Sequence, residues 1–261
     1  MLKKKSIGAA LACALALGAW SGSTLATPTD VAGVWIDPSS PLDLNVQALN
    51  FRESSVAAVG DVLQGYGVIG SINGTNPSTF CPSCDVNFTF TYTVSDITGN
   101  QVVFDLGTIN FFVDNTSSFN VLDPTTAGVG APWLTLSGHT APYAGFAALG
   151  QLYATINGPV SDPLAGSAGF GLLDATGGPA MFFTDTNTQA DGSDFSLVSS
   201  FQFQDAGICS AGLCYPISGT GQLIGASAVV PEPGAAGLLG LGLAFLGLFT
   251  WRRRKEGAGQ S

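Results

Sequence analysis

Four cysteines stand in two short pairs, Cys81-Pro82-Ser83-Cys84 and Cys209 with Cys214. Thiols at such spacing can close a disulfide, cycle as a redox pair, or supply half of a zinc site. A redox pair usually opens a helix that lowers the thiol pKa, whereas Cys84 runs directly into a strand-patterned segment. A four-cysteine zinc site would have to gather the pairs across about 125 residues of chain. In an oxidising compartment bridge formation competes with zinc, and each pair is joined by a short loop. Local Cys81–Cys84 and Cys209–Cys214 bridges are therefore favoured, with the redox and zinc readings beside them.

A second constellation is Asp185-Thr186-Asn187-Thr188-Gln189-Ala190-Asp191-Gly192-Ser193-Asp194. Alternating carboxylate and amide oxygens suit a hard cation such as Ca²⁺. The spacing fails the EF-hand pattern, because Gln189 holds the fifth position and Ala190 stands where glycine is needed. Asp185, Asn187, Asp191 and Asp194 are a calcium candidate; the plainer reading is an acidic turn marked by Asp-Gly. No other cofactor is suggested.

Catalytic groups are sparse. His139 is the sole histidine, and all lysines lie in the chain ends. A Ser-His-Asp triad would need His139, yet no serine sits in a nucleophile-elbow setting. Trp133, His139 and Tyr143 could line a sugar pocket, or simply be core and loop. Two aspartates could act as a glycosidase pair, but fifteen aspartates lie between residues 27 and 230, and the sequence singles out no two of them. No catalytic residue is assigned.

The elements that must carry these groups read as strands. Phe88, Phe90, Tyr92 and Val94 alternate with Thr89, Thr91, Thr93 and Ser95, a strict period of two. A turn at Ile97–Asn100 leads to a second run, 101–114. There the apolar parity changes between Leu106 and Ile109, which places a bulge at Gly107. Further strands are expected at 33–36, 42–51, 62–72, 133–137, 152–156, 169–174, 180–186, 195–204 and 220–228. Glycine recurs at alternate positions, as in Gly65-Tyr66-Gly67. Such glycines weaken a strand unless a backbone or an aromatic ring lies over them. Residues 141–149 have room for one short helical turn, and 124–132 is the best candidate for a long connection. The whole predicts an all-β body, an antiparallel β-sandwich of jelly-roll-like type.

Charge is distributed unevenly. Of the basic residues only Arg52 lies within 27–230, against sixteen acids, of which Glu53 is the sole glutamate. A body with a net charge near −15 repels phosphate backbones, so nucleic-acid partners are not expected. Its charge is compatible with divalent cations and neutral glycans, or with solubility alone.

Both ends address the chain. Lys3-Lys4-Lys5, the apolar run from Ile7 to Trp20 and the small residues Thr24 and Ala26 form a signal peptide, with cleavage between Ala26 and Thr27. Cys13 lies mid-run with Ala10 where a lipobox wants leucine, so lipidation is not expected. The C-terminal end reads Pro231-Glu232-Pro233, then apolar residues from Ala235 to Trp251, then Arg252-Arg253-Arg254-Lys255. Seventeen residues make a helix of roughly 25 Å, at the short end of what spans a bilayer. The basic cluster stays cytoplasmic and stops transfer. The prolines hold an extended, accessible segment just outside the membrane.

This tripartite tail resembles the PEP-CTERM sorting signal of Gram-negative bacteria. The resemblance implies that an exosortase, a membrane-embedded cysteine protease, recognises Pro231-Glu232-Pro233 and releases or transfers the protein. It further implies an inner-membrane intermediate, then a place at the cell surface or in an extracellular matrix of exopolysaccharide and biofilm. The expected organisation is a signal peptide at 1–26, an extracellular β-sandwich at 27–230, a sorting and anchor segment at 231–255 with a transmembrane helix, and a cytoplasmic tail at 256–261. The body is expected to be non-enzymatic, structural or adhesive; the alternative is a secreted glycan hydrolase using paired aspartates. Mass spectrometry of the exported protein should find Thr27 at its N-terminus and a C-terminus at or near Pro231–Pro233. A mature form that keeps Trp251 and the arginine cluster would leave a simple anchor in place of a sorting signal.

Overall fold

A computed structural model describes residues 28–38, 43–204 and 207–228. The expected signal peptide with its Ala26/Thr27 junction, the Pro231–Pro233 motif, the apolar tail and the Arg252–Lys255 cluster lie outside the described residues. Contacts divide the chain after Ser227. Among the described residues no helix is long and apolar enough to cross a membrane.

The body is all-β and antiparallel, as the period-two patterning requires. Its strands are β1 (Thr29–Val31), β2 (Val34–Ile36), β3 (Asn45–Glu53), β4 (Val62–Ile72), β5 (Asp85–Thr98), β6 (Gln101–Asp114), β7 (Ala131–His139), β8 (Leu152–Thr155), β9 (Ser167–Gly177), β10 (Phe195–Phe203), β11 (Cys209–Ser210), β12 (Leu213–Cys214) and β13 (Ile217–Ile224). Nine of them form one sheet in the order β10-β13-β3-β4-β5-β6-β7-β9-β8. The pairing that decides the architecture is β10 with β9, running from Phe195 opposite Leu173 to Phe201 opposite Ser167. It joins the sheet to itself, so the sandwich faces are one continuous wall.

The wall has eight staves, because β7 and β8 share one. The second half of β6 pairs with β7 and its first half with β8, and β9 does the same from the other side. Between β7 and β8 the chain leaves the wall at residues 140–151 and returns, its neck held by the Ala141–Gly150 bridge. Staves follow chain order around the barrel. This is a meander, where a jelly roll would cross over: each stave pairs with the next along the chain, although several of the connections are long.

Inward positions are apolar and aromatic: Phe51, Phe88, Tyr92, Phe104, Phe111 and Phe201 are all buried. Threonine, serine and glutamine dominate the outer face, where Thr91 and Thr108 hydroxyls meet at 3.2 Å. A membrane-spanning barrel has the opposite polarity, apolar outside and polar within. One end is capped by the β1–β2 hairpin, the short helix α1 (Pro77–Phe80) and the short helix α2 (Met181–Thr184). Val34, Ile36, Phe80 and Phe183 bury themselves there, and Trp133 Nε1–H donates to the Val31 carbonyl at 2.8 Å. At the opposite end the loop after β8 is tied down by the Phe203 amide, which donates to the Pro163 carbonyl at 2.6 Å.

The bulge expected at Gly107 is present: Thr91 faces Thr108 but Thr93 faces Asp105, so two residues of β6 oppose Tyr92. It begins one residue earlier than the parity suggested. Leu106 takes φ 53° and turns outward, largely exposed, instead of pointing into the core. The strand expected at 180–186 is instead α2. Gly178 at φ 84° ends β9, and the Thr184 hydroxyl bonds back to the Ala180 carbonyl. Phe183 then faces the core while Phe182 faces solvent, a helical division of an apolar run that lacks alternation. Residues 141–149 form no helix, and the long connection at 124–132 begins earlier, at Asn115.

Glycines mark where the barrel is tightest. The Phe90 ring occupies the place a Cβ on Gly65 would take, Phe88 does the same at Gly67, and Tyr92 at Gly107. Each ring comes from the neighbouring strand, directly opposite its glycine for Gly65 and Gly67. Gly65→Ala should therefore destabilise the exported protein by about 1–3 kcal/mol, the usual cost of overpacking. That is a fall of several degrees in melting temperature. Gly177→Ala, whose nearest neighbour is Thr135 Cβ at 3.4 Å, should change stability by no more than about 0.5 kcal/mol. Equal melts for the two variants would contradict this packing.

Candidate functional site

The barrel interior holds the chemistry that sequence patterning did not assign. A cavity of about 70 Å³ lies inside, walled by Phe51, Phe88, Phe111, Leu197, Tyr92 and Glu53 among others. A second, of about 40 Å³, lies toward the opposite end and shares Glu53, Leu152 and Ser199 with the first. Eight-stranded barrels are just wide enough to be filled by side chains or to hold one small ligand.

Two polar groups face this lumen without partners. The Tyr92 hydroxyl is buried and makes no hydrogen bond. The Glu53 carboxyl accepts none from the described residues either. Glu53 reaches the interior because it follows Phe51 at the same parity on β3. Arg52, between them, has the opposite parity and lies across from Tyr66. It is itself buried, with Nε and one Nη unpaired, and gives Glu53 no hydrogen bond. Burial alone pushes the Glu53 carboxyl up to about 8 and raises the Tyr92 phenol as well. At neutral pH both groups are therefore protonated donors. A buried donor left unmade costs about 1–3 kcal/mol.

The outer surface has its own polar constellations. His139 Nδ1 lies 2.9 Å from an Asp174 carboxylate oxygen, across the β7–β9 pair. Ser137, two residues earlier, bonds Thr176 at 2.9 Å. Sequence reasoning missed Asp174 because the partner lies 35 residues away on another strand. Trp133, His139 and Tyr143 do not assemble: Trp133 is core, and Tyr143 stacks on Phe170 with ring centroids 4.5 Å apart. Asp114 closes the start of the long loop, accepting from the Ser118 hydroxyl at 2.6 Å and the Thr116 hydroxyl at 2.7 Å. Those bonds hold its carboxyl well below the usual carboxylate range.

The acidic loop is organised from within. Asp194 is buried and its oxygens accept the amides of Thr186, Asn187 and Ala175 at 2.7–2.8 Å. Asp185 accepts from the Asn187 side chain at 3.1 Å, and Asp191 sits in a turn at φ 53°. Thus Asp194 staples the loop to β9 while Asp185, Asn187 and Asp191 remain near its surface. Among the described residues no group of three or more His, Cys, Asp or Glu side chains is arranged to hold a metal. The cysteines pair locally, Cys81 with Cys84 and Cys209 with Cys214, the second pair directly opposite across β11–β12.

The fold and site thus define an antiparallel, disulfide-bearing barrel with a lined interior. The family model for the PEP-CTERM protein-sorting motif matches residues 229–255, so the chain carries that sorting motif directly after the barrel. The motif marks an exported protein that transits the membrane of a Gram-negative bacterium and is processed by an exosortase. No curated protein and no solved structure matches the chain significantly.

Glu53 gives the site a pH signature. Its folded pKa is about 8, against an ordinary value of 4.5. Between those values the unfolded chain loses the proton while the fold keeps it, so the native state binds more protons and stability falls as pH rises. The contribution is complete below pH 4.5 and lost through pH 8, at a slope of up to about 1.4 kcal/mol per pH unit. Depressed carboxylates such as Asp114 act in the opposite sense and only at more acid pH. Denaturant melts at pH 5.5 and 8.5 should show the exported protein less stable at the higher pH, and Glu53→Gln should flatten the difference. A wild-type profile already flat over this interval would contradict a neutral buried carboxyl.

Proposed function

We propose that this chain is a non-catalytic surface or matrix protein, delivered by an exosortase, that acts structurally or adhesively among exopolysaccharides. The observation that carries the reading is the sorting motif at 229–255 attached to a barrel with one extended uncharged polar face. On the outside of β3, β13 and β10, Gln47, Asn50, Ser200, Gln202, Thr220 and Gln222, with the exposed Val198 among them, line two adjoining surface grooves of about 450 Å³ each, which share Ser200 and Thr220. No acid lines either groove, although the body carries a net charge near −15. Hydroxyls and amides on a rigid sheet are both donors and acceptors, as sugar hydroxyls are. A neutral glycan can lie there without desolvating a charge. The closed wall also leaves no open edge for uncontrolled strand addition, which suits a protein held at high local concentration.

The test is co-sedimentation of the exported protein with exopolysaccharide from the producing cells, with release of reducing ends followed in parallel. Retention without turnover is expected. The Thr220→Val, Gln202→Ala double variant should weaken retention about tenfold, the loss of one or two hydrogen bonds, with an unchanged melt. Gln222 is left in place because its amide donates to Asn45 Oδ1 at 2.8 Å. Reducing-end release abolished by a single Asp→Asn change would replace this reading with that of a glycan hydrolase. Retention unaffected by the double variant would move the contact elsewhere.

A further inference from the structure

We propose that the barrel lumen binds a small, neutral, apolar molecule carrying a hydrogen-bond acceptor, of the class of aliphatic ketones or aldehydes, through the Tyr92 hydroxyl and the Glu53 carboxyl. The inference rests on the interior alone and is independent of the outer face and its glycan contact.

Two observations carry it. The first is space. A cavity of about 70 Å³ exceeds the ~10–15 Å³ that one water requires. The second cavity, about 40 Å³, is a separate space that shares Glu53, Leu152 and Ser199 with the first. Benzene occupies a cavity of about 150 Å³, so the room suits a molecule of a few heavy atoms and neither a long chain nor a ring. The second observation is unpaired chemistry. Tyr92 and Glu53 are each more than nine-tenths buried. Both line the cavity, and neither polar group has a partner among the described residues. Buried polar groups in native proteins are paired as a rule, so such exceptions call for a partner.

The rest of the wall selects the ligand. Phe51, Phe88, Phe111 and Leu197 offer no hydrogen bonds. A cluster of waters would need two to four polar partners each and finds few here. The two donors call for an acceptor, while the surrounding rings call for hydrocarbon, and a small ketone or aldehyde supplies both. A cation would require Glu53 to ionise in an apolar enclosure, at the desolvation cost that already holds it neutral. An anionic ligand would enter against the charge of the whole body. Small apolar pockets with a few convergent polar groups are the usual form of small-molecule sites.

The experiment is calorimetric titration of the exported protein at pH 6.5 with acetone, and separately with isopropylammonium, which has the same shape and a positive charge. One acetone per chain is expected, with submillimolar affinity and little heat from isopropylammonium. Tyr92→Phe keeps the ring over Gly107 and removes only the hydroxyl. It should melt no lower than the native protein, since the hydroxyl it removes is unpaired, and weaken acetone about tenfold, the worth of one buried hydrogen bond. Leu197→Trp, which fills the cavity, should abolish binding. Absence of acetone binding at millimolar concentration would overturn the proposal. So would an affinity unchanged in a folded Tyr92→Phe variant, or a preference for isopropylammonium.

Discussion

Aromatic rings set against glycine backbone are the contact on which the barrel depends. Phe90 over Gly65, Phe88 over Gly67, Tyr92 over Gly107 and Phe51 over Gly219 each set a large side chain where a Cβ would stand. The arrangement solves a volume problem. A small barrel cannot accept large residues from every inward position, so large and absent side chains must alternate around the wall. Glycine costs strand propensity, and the ring that covers it returns burial and packing in compensation. Where the rings converge they leave gaps, and those gaps are the lumen. The cavity is thus a product of the same alternation that allows the sheet to close.

Closure has consequences on both faces. Inside, it excludes solvent around Glu53 and Tyr92, which keeps the carboxyl neutral and the phenol protonated. Outside, it gives threonine, serine and glutamine a rigid, regular display. Charge is placed elsewhere: Asp114, Asp123 and Asp194 are spent on holding loops, accepting backbone amides and hydroxyls at the strand ends. An acidic composition alone would have suggested a cation-binding surface. In the structure several of these acids serve as loop staples, a use that needs no metal.

The period of two was legible and gave the strands β4 and β6 to the residue. The parity break at Gly107 also announced its bulge. The conditional attached to alternate glycines was answered by rings from neighbouring strands, which no local pattern could identify. Strand order was not legible, because closure rests on a pairing between β9 and β10 whose residues are ordinary serines, glycines and leucines. Residues 180–186 read as a strand because the apolar content was right. The helical turn came from Gly178 and from burial of Phe183 at the barrel end. Local cysteine pairing was favoured by the short spacings taken together with export to an oxidising compartment, since spacing alone also fitted a redox pair or a zinc site. The lumen was hidden because Glu53 was counted with the surface acids; its parity with Phe51 was the available signal. The sorting tail was read from its three ordered parts, with no help from the barrel.

Closure of the wall is the central claim, and amide hydrogen exchange tests it most directly. Residues 167–173 on β9 and 195–201 on β10 face each other across the seam. If the sheet is closed, amides donated across that seam should be protected to the same degree as those between β4 and β5, and exchange only with global unfolding. Fast, edge-like exchange along the facing sides of β9 and β10, with β4 and β5 still protected, would show an open sheet and contradict the account.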